Sequence, residues 1–501
     1  MQPSTTSGPA ITEVRFRLDG EIGTADRRLF GSFVEHVGRG VYGGLFDPSD
    51  PSATPEGFRG DVLALVRELG VTVVRYPGGN FVSGYDWKDG VGPRSSRPRR
   101  LDLAWKSIET NAFGTDEFLA WCRRAGVEPM LALNLGLGDV GSALQLVEYV
   151  NHPGGTALSD ARARNGSPEP GDVRLWCLGN EMDGPWQLGH RSAEQYGDIA
   201  RATASALRMF DEDLELVAVG SSHAEMPTFG TWDRTVLART AGLVDLLSCH
   251  IYFFDDGDLA AFLRSAEKLD AFLATIAGIV DEANRAHPDG RRVRISLDEW
   301  NVWDFRVHDA LKPGLAFAEA PRLLEQEYTL ADAVVVGTLL QTILAHADTV
   351  AVAALAQLVN AIGVIRTEPG RPAWRQPTFH PFALASRSAG HTVVRTAADA
   401  PGGALATVTV APELDAVRVY LANRDLEHPA RVEVDLAGFA PAAATAVCLW
   451  GDDPAATNTV DSPSRVAPRP LPAELTGDLL AVTLPPLSWA AVEVTCRPAG
   501  R

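Results

Sequence analysis

The chain has 501 residues, 46% hydrophobic and 22% charged, a composition that buries a large core and excludes a disordered polymer. Its 64 acidic against 45 basic residues give a formal charge of −19, which opposes binding to nucleic acid or to an anionic membrane. Five widely spaced cysteines, Cys122, Cys177, Cys249, Cys448 and Cys496, form no CxxC pair, so neither a disulfide framework nor a zinc site is indicated and a reducing cytoplasm fits. The first ten residues lack the basic start and apolar run of a secretory signal, and no apolar stretch approaches the roughly 20 residues needed to cross a bilayer.

An alternating segment, Ile11–Leu18, reads as a strand ahead of the first βα unit. It is expected to join a sheet formed by the far end of the chain, so residues 1–28 are assigned to that second domain. From 29 to 385, β-branched runs alternate with longer amphipathic stretches, the pattern of repeated βα units. Strands are predicted near Leu29–Glu35, Val71–Tyr76, Glu128–Leu133, Val173–Leu178, Glu215–Gly220, Val244–Tyr252, Val293–Leu297 and Val350–Ala356. Helical spacing of apolar residues predicts helices over Asp61–Leu69, Asp116–Ala125, Ser142–Val150, Ala193–Met209, Leu259–Ala286 and Tyr328–Ala347. Eight such units make a (β/α)8 TIM barrel; a doubly wound open sheet is the competing architecture. Beyond 385 the helical period stops. Strands predicted at Leu405–Val410, Ala416–Leu421, Ala430–Val434, Ala444–Leu449, Leu479–Leu484 and Ala490–Thr495, separated by Pro, Gly and Asp, indicate an antiparallel, jelly-roll-like β-sandwich over 386–501.

Chemistry in such barrels sits at the C-terminal strand ends. The first strand ends in Glu35, which suits a sugar hydroxyl or an ion pair with an arginine such as Arg75. The second runs through Arg75-Tyr-Pro-Gly-Gly-Asn80, where Pro and paired Gly allow a tight turn that brings backbone near a ligand and presents Asn80. The fourth ends in Asn180-Glu181 and the seventh in Asp298-Glu299, and these strands face each other across a barrel mouth. Two facing carboxyls are what glycoside hydrolysis requires: an acid for the leaving oxygen, and a carboxylate that attacks the anomeric carbon or activates water. Asn180 would hydrogen-bond a sugar hydroxyl beside the reacting carbon. The sixth strand ends His250-Ile-Tyr252, with both ring side chains on one side; Tyr252 would keep a carboxylate ionised and His250 would orient a carboxyl. Gln357 closes the apolar eighth strand and needs a partner. Trp105, Trp300 and Trp303 offer faces for sugar C–H groups, with Trp105 and Trp303 favoured for the pocket. Each of these residues alone also suits an ordinary core or surface role; their convergence on strand ends carries the reading.

No HExxH occurs, and Asp47, Asp50 and Asp86 lack EF-hand spacing, so no metal is called for. Ser83 and Ser222 lack a nucleophile elbow, and the glycine turn lacks a Walker lysine.

The stretches Arg75–Pro93, Trp176–Trp186 and Asp298–Trp303 resemble the α-L-arabinofuranosidases of glycoside hydrolase family 51, with further matches at Gly31–His36, Leu101–Trp105, Cys249–Tyr252 and Ala356–Asn360. The resemblance implies a retaining, cofactor-free enzyme with Glu181 as acid/base and Glu299 as nucleophile. It matches Glu35, Asn80, Asn180, Tyr252 and Gln357 to arabinose contacts, His250 to a supporting position, and Trp105 and Trp303 to aromatic positions near the leaving group. It also implies arabinofuranosyl oligosaccharides as partners, an intracellular location and a homo-oligomer, often a hexamer. The segments after the sixth strand, Phe253–Asp258, and before the last barrel helix, Ala316–Leu324, depart from the family pattern. A β-glycosidase or endo-glucanase of the same barrel clan is the runner-up; a non-catalytic sugar-binding module and a metal-dependent isomerase fit the paired carboxylates less well.

Overall fold

Strands rich in Val, Leu and Ala on both faces must be covered on both faces, and here they close on themselves. The computed structural model describes residues 12–398 and 403–497. Gly31–Phe33, Val73–Tyr76, Glu128–Ala132, Leu175–Cys177, Glu215–Ala218, Leu246–Phe253, Arg294–Val302 and Val350–Ala356 form a closed parallel barrel. The eighth strand returns to pair with the first, Ala354 opposite Gly31, which excludes the open doubly wound sheet. Val73, Met130, Leu175, Val217, Leu246 and Val352 fill the barrel interior.

All eight strands lie where the β-branched runs predicted them, most of them shortened at their ends. The seventh differs the other way. Predicted to stop at Leu297, it continues to Val302, because its pairing with the sixth strand persists through Glu299 opposite His250 and Asn301 opposite Tyr252. The predicted helix Leu259–Ala286 is broken into Leu259–Phe262 and Ser265–Ala286, with the Ser265 hydroxyl donating 2.6 Å to the Phe262 carbonyl at the break. Helices Ala157–Arg164, Thr231–Arg239, Phe305–Leu311 and Phe379–Ala385, unforeseen in the sequence, are short and weakly periodic.

Among the described residues the second domain is a continuous sheet of ten strands. Its first strand is Thr12–Thr24, which runs antiparallel to Thr392–Ala398 and parallel to Ala430–Asp435; Ile11, predicted as part of this strand, lies outside the described residues. Pro441–Leu449 and Ala473–Thr476, near opposite ends of the strand order, approach each other, so the sheet curls over a core that includes Val408, Val419, Val432, Leu480 and Val492. Helix Leu330–Ala345 lies between the domains, apolar nearly all round and buried nearly all round. Its one buried amide is used twice: Gln341 Nε2 donates 2.9 Å to the Tyr420 carbonyl, and its Oε1 accepts the Trp489 indole at 3.2 Å. Among the described residues no helix is long and apolar enough to cross a membrane.

Candidate active site

Successive residues of a strand point to opposite sides, yet Asp298 and Glu299 both meet Arg75. A register shift between Ser296 and Glu299 supplies the extra residue that turns both carboxyls inward. Arg75, at the end of the second strand, sends Nη1 to Glu299 Oε1 at 2.8 Å and Nη2 to Asn180 Oδ1 at 2.6 Å, with Nε 3.3 Å from Asp298 Oδ2. The guanidinium also lies over the Phe33 ring, 4.9 Å from its centroid. Tyr252 donates its hydroxyl to Glu299 Oε2 at 2.7 Å, so both oxygens of that carboxyl are held.

Glu181 follows the fourth strand with φ 43°, a left-handed conformation in which a residue with a side chain is strained and which is found mostly at functional positions. His250 Nδ1 lies 2.9 Å from its Oε1, and the Trp186 indole N–H donates to its Oε2 at 2.6 Å. The other His250 nitrogen is 3.3 Å from Ser248 Oγ and 3.5 Å from Asp298 Oδ1, and Ser248 Oγ donates to Asp298 at 2.5 Å. Asn180 Nδ2 is buried without a hydrogen-bond partner, a donor left over beside the two glutamates.

Glu35 occupies a cradle. Its Oε1 accepts the Phe81 amide at 2.9 Å and the Trp105 indole at 2.8 Å, and its Oε2 accepts Gln357 Nε2 at 3.2 Å. A Cβ on Gly78 would stand 2.7 Å from Glu35 Cγ, so the paired glycines are what allow the turn to close over this carboxyl. Trp303 packs edge-on to Tyr252 with centroids 5.0 Å apart, and Trp105 packs edge-on to His308 at 5.5 Å. Asn80 begins the short turn Asn80–Gly84 and is half-buried.

Burial opposes every charge here, and the neighbours decide which survive. It pushes the Glu35 carboxyl up to about 8 against the Phe81 and Trp105 donors. Burial works against the His250 cation too, but the Glu299 charge and the bonds to Asp298 and Glu181 raise it to about 10. Asp298 stays below its ordinary range because Arg75 and His250 outweigh its burial. For Glu181, burial is outweighed by the bond and charge of His250 and by Trp186, and the carboxyl is held down. At Glu299 burial and the Glu181 charge prevail over His250, Arg75 and Tyr252, and the carboxyl is pushed up. The two glutamates titrate as a pair, their protons belonging to both.

Glu181, His250 and Glu299 each place one ligand atom within 4.8 Å of the others, so by spacing alone they would hold a divalent cation. The donor set does not suit one: Arg75 and Tyr252 already donate to both oxygens of Glu299, and His250 and Trp186 lie against both oxygens of Glu181.

The structure thus gathers Glu181, Glu299, Asn180, His250 and Tyr252 into one network, with Glu35, Gln357 and Trp105 in a second beside it. One expectation changes: Arg75 pairs with Asp298 and Glu299 and makes no bond to Glu35, while its bond to Asn180 Oδ1 leaves the Asn180 Nδ2 donor unspent. Trp300 is wholly buried, and the Trp105 indole is engaged by Glu35. Trp186 and Asp298 were not singled out as site residues by sequence reasoning: a tryptophan five residues past a glutamate carries no periodic signal, and an aspartate beside a candidate nucleophile on a strand is expected to face away.

Two family models match, the α-L-arabinofuranosidase 1 domain over residues 65–258 and the α-L-arabinofuranosidase C-terminal domain over 298–488. The chain is 49% identical over 494 residues to an intracellular exo-α-(1→5)-L-arabinofuranosidase of Streptomyces lividans, covering 95% of this chain and 75% of that protein. It is 46% identical over 499 residues to an exo-α-(1→6)-L-arabinofuranosidase of Bifidobacterium longum, covering 95% and 96%. The solved structure of AbfB, a family 51 α-L-arabinofuranosidase from Bifidobacterium longum, superposes with a TM-score of 0.93 at 44% identity over 97% of this chain and all of that one. The chain belongs to glycoside hydrolase family 51, the α-L-arabinofuranosidases.

Proposed function

We propose that the protein is a retaining, exo-acting α-L-arabinofuranosidase that removes terminal arabinofuranosyl groups from arabino-oligosaccharides or arabinoxylan fragments, with Glu299 as nucleophile and Glu181 as acid/base. The observation that carries the mechanism is separation: an oxygen of Glu181 lies within 4.8 Å of one of Glu299. Retaining enzymes keep their carboxyls roughly 5 to 5.5 Å apart, whereas inverting ones leave about 6.5 to 9.5 Å for a water. The two roles themselves follow the family resemblance.

In the first step Glu299 forms a bond to the anomeric carbon as the glycosidic C–O bond breaks, its electron pair going to the leaving oxygen and the Glu181 proton following it. In the second, Glu181 takes a proton from water, whose oxygen attacks the same carbon and returns Glu299 to a carboxylate. Arg75 and Tyr252 steady that carboxylate at each return. His250 Nδ1, 2.9 Å from Glu181 Oε1, and the Trp186 indole orient the acid/base and stabilise it whenever it is ionised. Asn180 Nδ2 and Asn80 are left to meet sugar hydroxyls. A cytoplasmic location and a hexameric assembly belong to the same reading and rest on the family resemblance.

The test is proton NMR of the first sugar released from an aryl α-L-arabinofuranoside. Retention gives the α-anomer first, and appearance of the β-anomer first overturns the mechanism. Glu299→Ala is expected to abolish turnover; substantial residual activity removes its assignment.

A further inference from the structure

Trp186 is 40% exposed, yet its N–H points into the site and donates to Glu181 Oε2 at 2.6 Å. An exposed indole would ordinarily leave its N–H to water. This one is clamped from three directions. The ring stacks on His223 with centroids 5.9 Å apart and planes 17° apart. The chain beneath it turns at Gly184, where a Cβ would lie 2.5 Å from Trp186 Cε2, so the indole folds back over space that only glycine leaves free. The turn is closed by the Gly184 amide on the Glu181 carbonyl at 2.9 Å and the Gln187 amide on the Gly184 carbonyl at 3.0 Å. Asp183 accepts the Ser222 amide at 3.1 Å and the Ser222 hydroxyl, tying this loop to the one that carries His223.

We infer that Trp186 is a positioning residue of the reaction, whose indole N–H stabilises the charge that Glu181 acquires as it gives up its proton. The inference rests on Glu181 being the acid/base. When the proton passes to the leaving oxygen, Glu181 becomes a carboxylate, and a bond from a fixed neutral donor to one of its oxygens is stronger to that carboxylate than to the acid. The donor therefore favours the transition state over the ground state, and more so the more proton transfer the leaving group demands. His250 is shared among three carboxyls, facing Asp298 and Glu299 as well, whereas the Trp186 N–H is directed at Glu181 alone. The other charged and titratable groups around Glu181 are Arg75 from the second strand, Tyr252 from the sixth, Glu299 and Asp298 from the seventh, and Asp183 on its own loop. Among the described residues only His250 and Trp186 donate a side-chain bond to Glu181.

The test compares the parent, Trp186→Phe and Glu181→Ala on aryl α-L-arabinofuranosides whose phenols span a range of acidity. Phenylalanine keeps an aromatic ring to face His223 while removing the N–H and the bulk of the second ring, and the dependence on leaving group separates the loss of the donor from the loss of bulk. The expected result is a loss of about tenfold in kcat/KM on the poorest leaving groups, fading to nothing on the best, with the alkaline limb of the pH profile moved upward by about one unit. A role in packing or sugar stacking would lower kcat/KM equally for every phenol and leave the limb in place. That outcome overturns the inference, as does an unchanged Trp186→Phe enzyme. Glu181→Ala separates the two failures: if its losses do not follow leaving-group acidity, the acid/base assignment falls; if they do while those of Trp186→Phe do not, only the role of the indole falls. Matching thermal melts of Trp186→Phe and parent exclude misfolding as the source of any loss.

Discussion

His250 Nδ1 stands 2.9 Å from Glu181 Oε1, and its ring also faces two further acids, Asp298 Oδ1 at 3.5 Å from Nε2 and Glu299 Oε2 at 3.7 Å from Nδ1. Three carboxyls thus surround one imidazole, and its proton is held to about 10, so the ring stays a cation at neutral pH where a free histidine would have lost its charge. His250→Asn keeps a polar side chain of similar reach and removes the titration. Without the cation that holds it down, the Glu181 carboxyl rises, so we expect the alkaline limb of kcat/KM to move to higher pH and turnover of poor leaving groups to fall by roughly 10²-fold. A pH profile superimposable on the parent's would show that His250 does not set the ionisation of Glu181.

Arg75 neutralises buried charge at Asp298 and at Glu299 while holding Asn180 in place. Removing one member of such a network leaves the others unpaired away from water, at a cost of about 3–5 kcal/mol. Arg75→Met is therefore expected to lose both activity and stability. The deficit has a pH signature: Asp298 is held below its ordinary range, so its share of the stability is present at neutral pH and disappears as acid protonates it. The Tm gap between parent and variant should be widest near neutral pH and narrow only as the pH falls below the ordinary aspartate value of 3.8, where Asp298 starts to take up its proton; a gap independent of pH would mean that Arg75 acts through packing on Phe33 instead.

The barrel was legible because eight apolar runs each had to be covered on both faces, a demand that shows as unbroken Val, Leu and Ala in the sequence. The two glutamates were legible for the same reason, since Glu181 and Glu299 interrupt apolar runs at the ends where loops converge. What periodicity cannot show is a change of register. Asp298 was read as a neighbour of Glu299 and nothing more, because alternation sends consecutive residues to opposite sides; the bulge after Ser296 defeats that rule. Trp186 was hidden in a different way, since its contact with Glu181 depends on a loop folding back at Gly184 rather than on any repeat. Asn180 and Arg75 were each legible singly, but their bond joins strands four and two, and no local pattern encodes such a pairing.

The closeness of the second strand's turn to Glu35 makes a steric forecast. Gly78→Ala would place a Cβ 2.7 Å from Glu35 Cγ, and the carboxyl must shift out of its bonds with Phe81 and Trp105. We expect KM to rise and activity to fall by at least about tenfold while the chain stays folded. Gly278→Ala is the control, because nothing lies within 4 Å of its Cβ and it sits inside helix Ser265–Ala286. It should be fully active and more stable by about 1 kcal/mol. Equal activity of the two variants would show that Glu35 does not need its cradle.

Glu35 itself links pH to stability in the direction opposite to Asp298. Its carboxyl ionises near 4.5 in an ordinary setting but near 8 in the folded protein, because burial opposes the charge more than its donors support it. Between those values the unfolded chain has released a proton that the folded chain still holds, so stability falls as pH rises from 4.5 and the full penalty is reached above about 8. Glutamine keeps an acceptor for Phe81 and Trp105 and has no proton to lose. Glu35→Gln should therefore melt with the parent at pH 4 and several degrees above it at pH 9. If Glu35 meets a sugar hydroxyl as a neutral acid, the same variant should also lose any fall in kcat/KM that the parent shows near pH 8. Melting curves that differ equally at both pH values would mean that Glu35 is already ionised in the folded protein, and its role would be that of a charged acceptor.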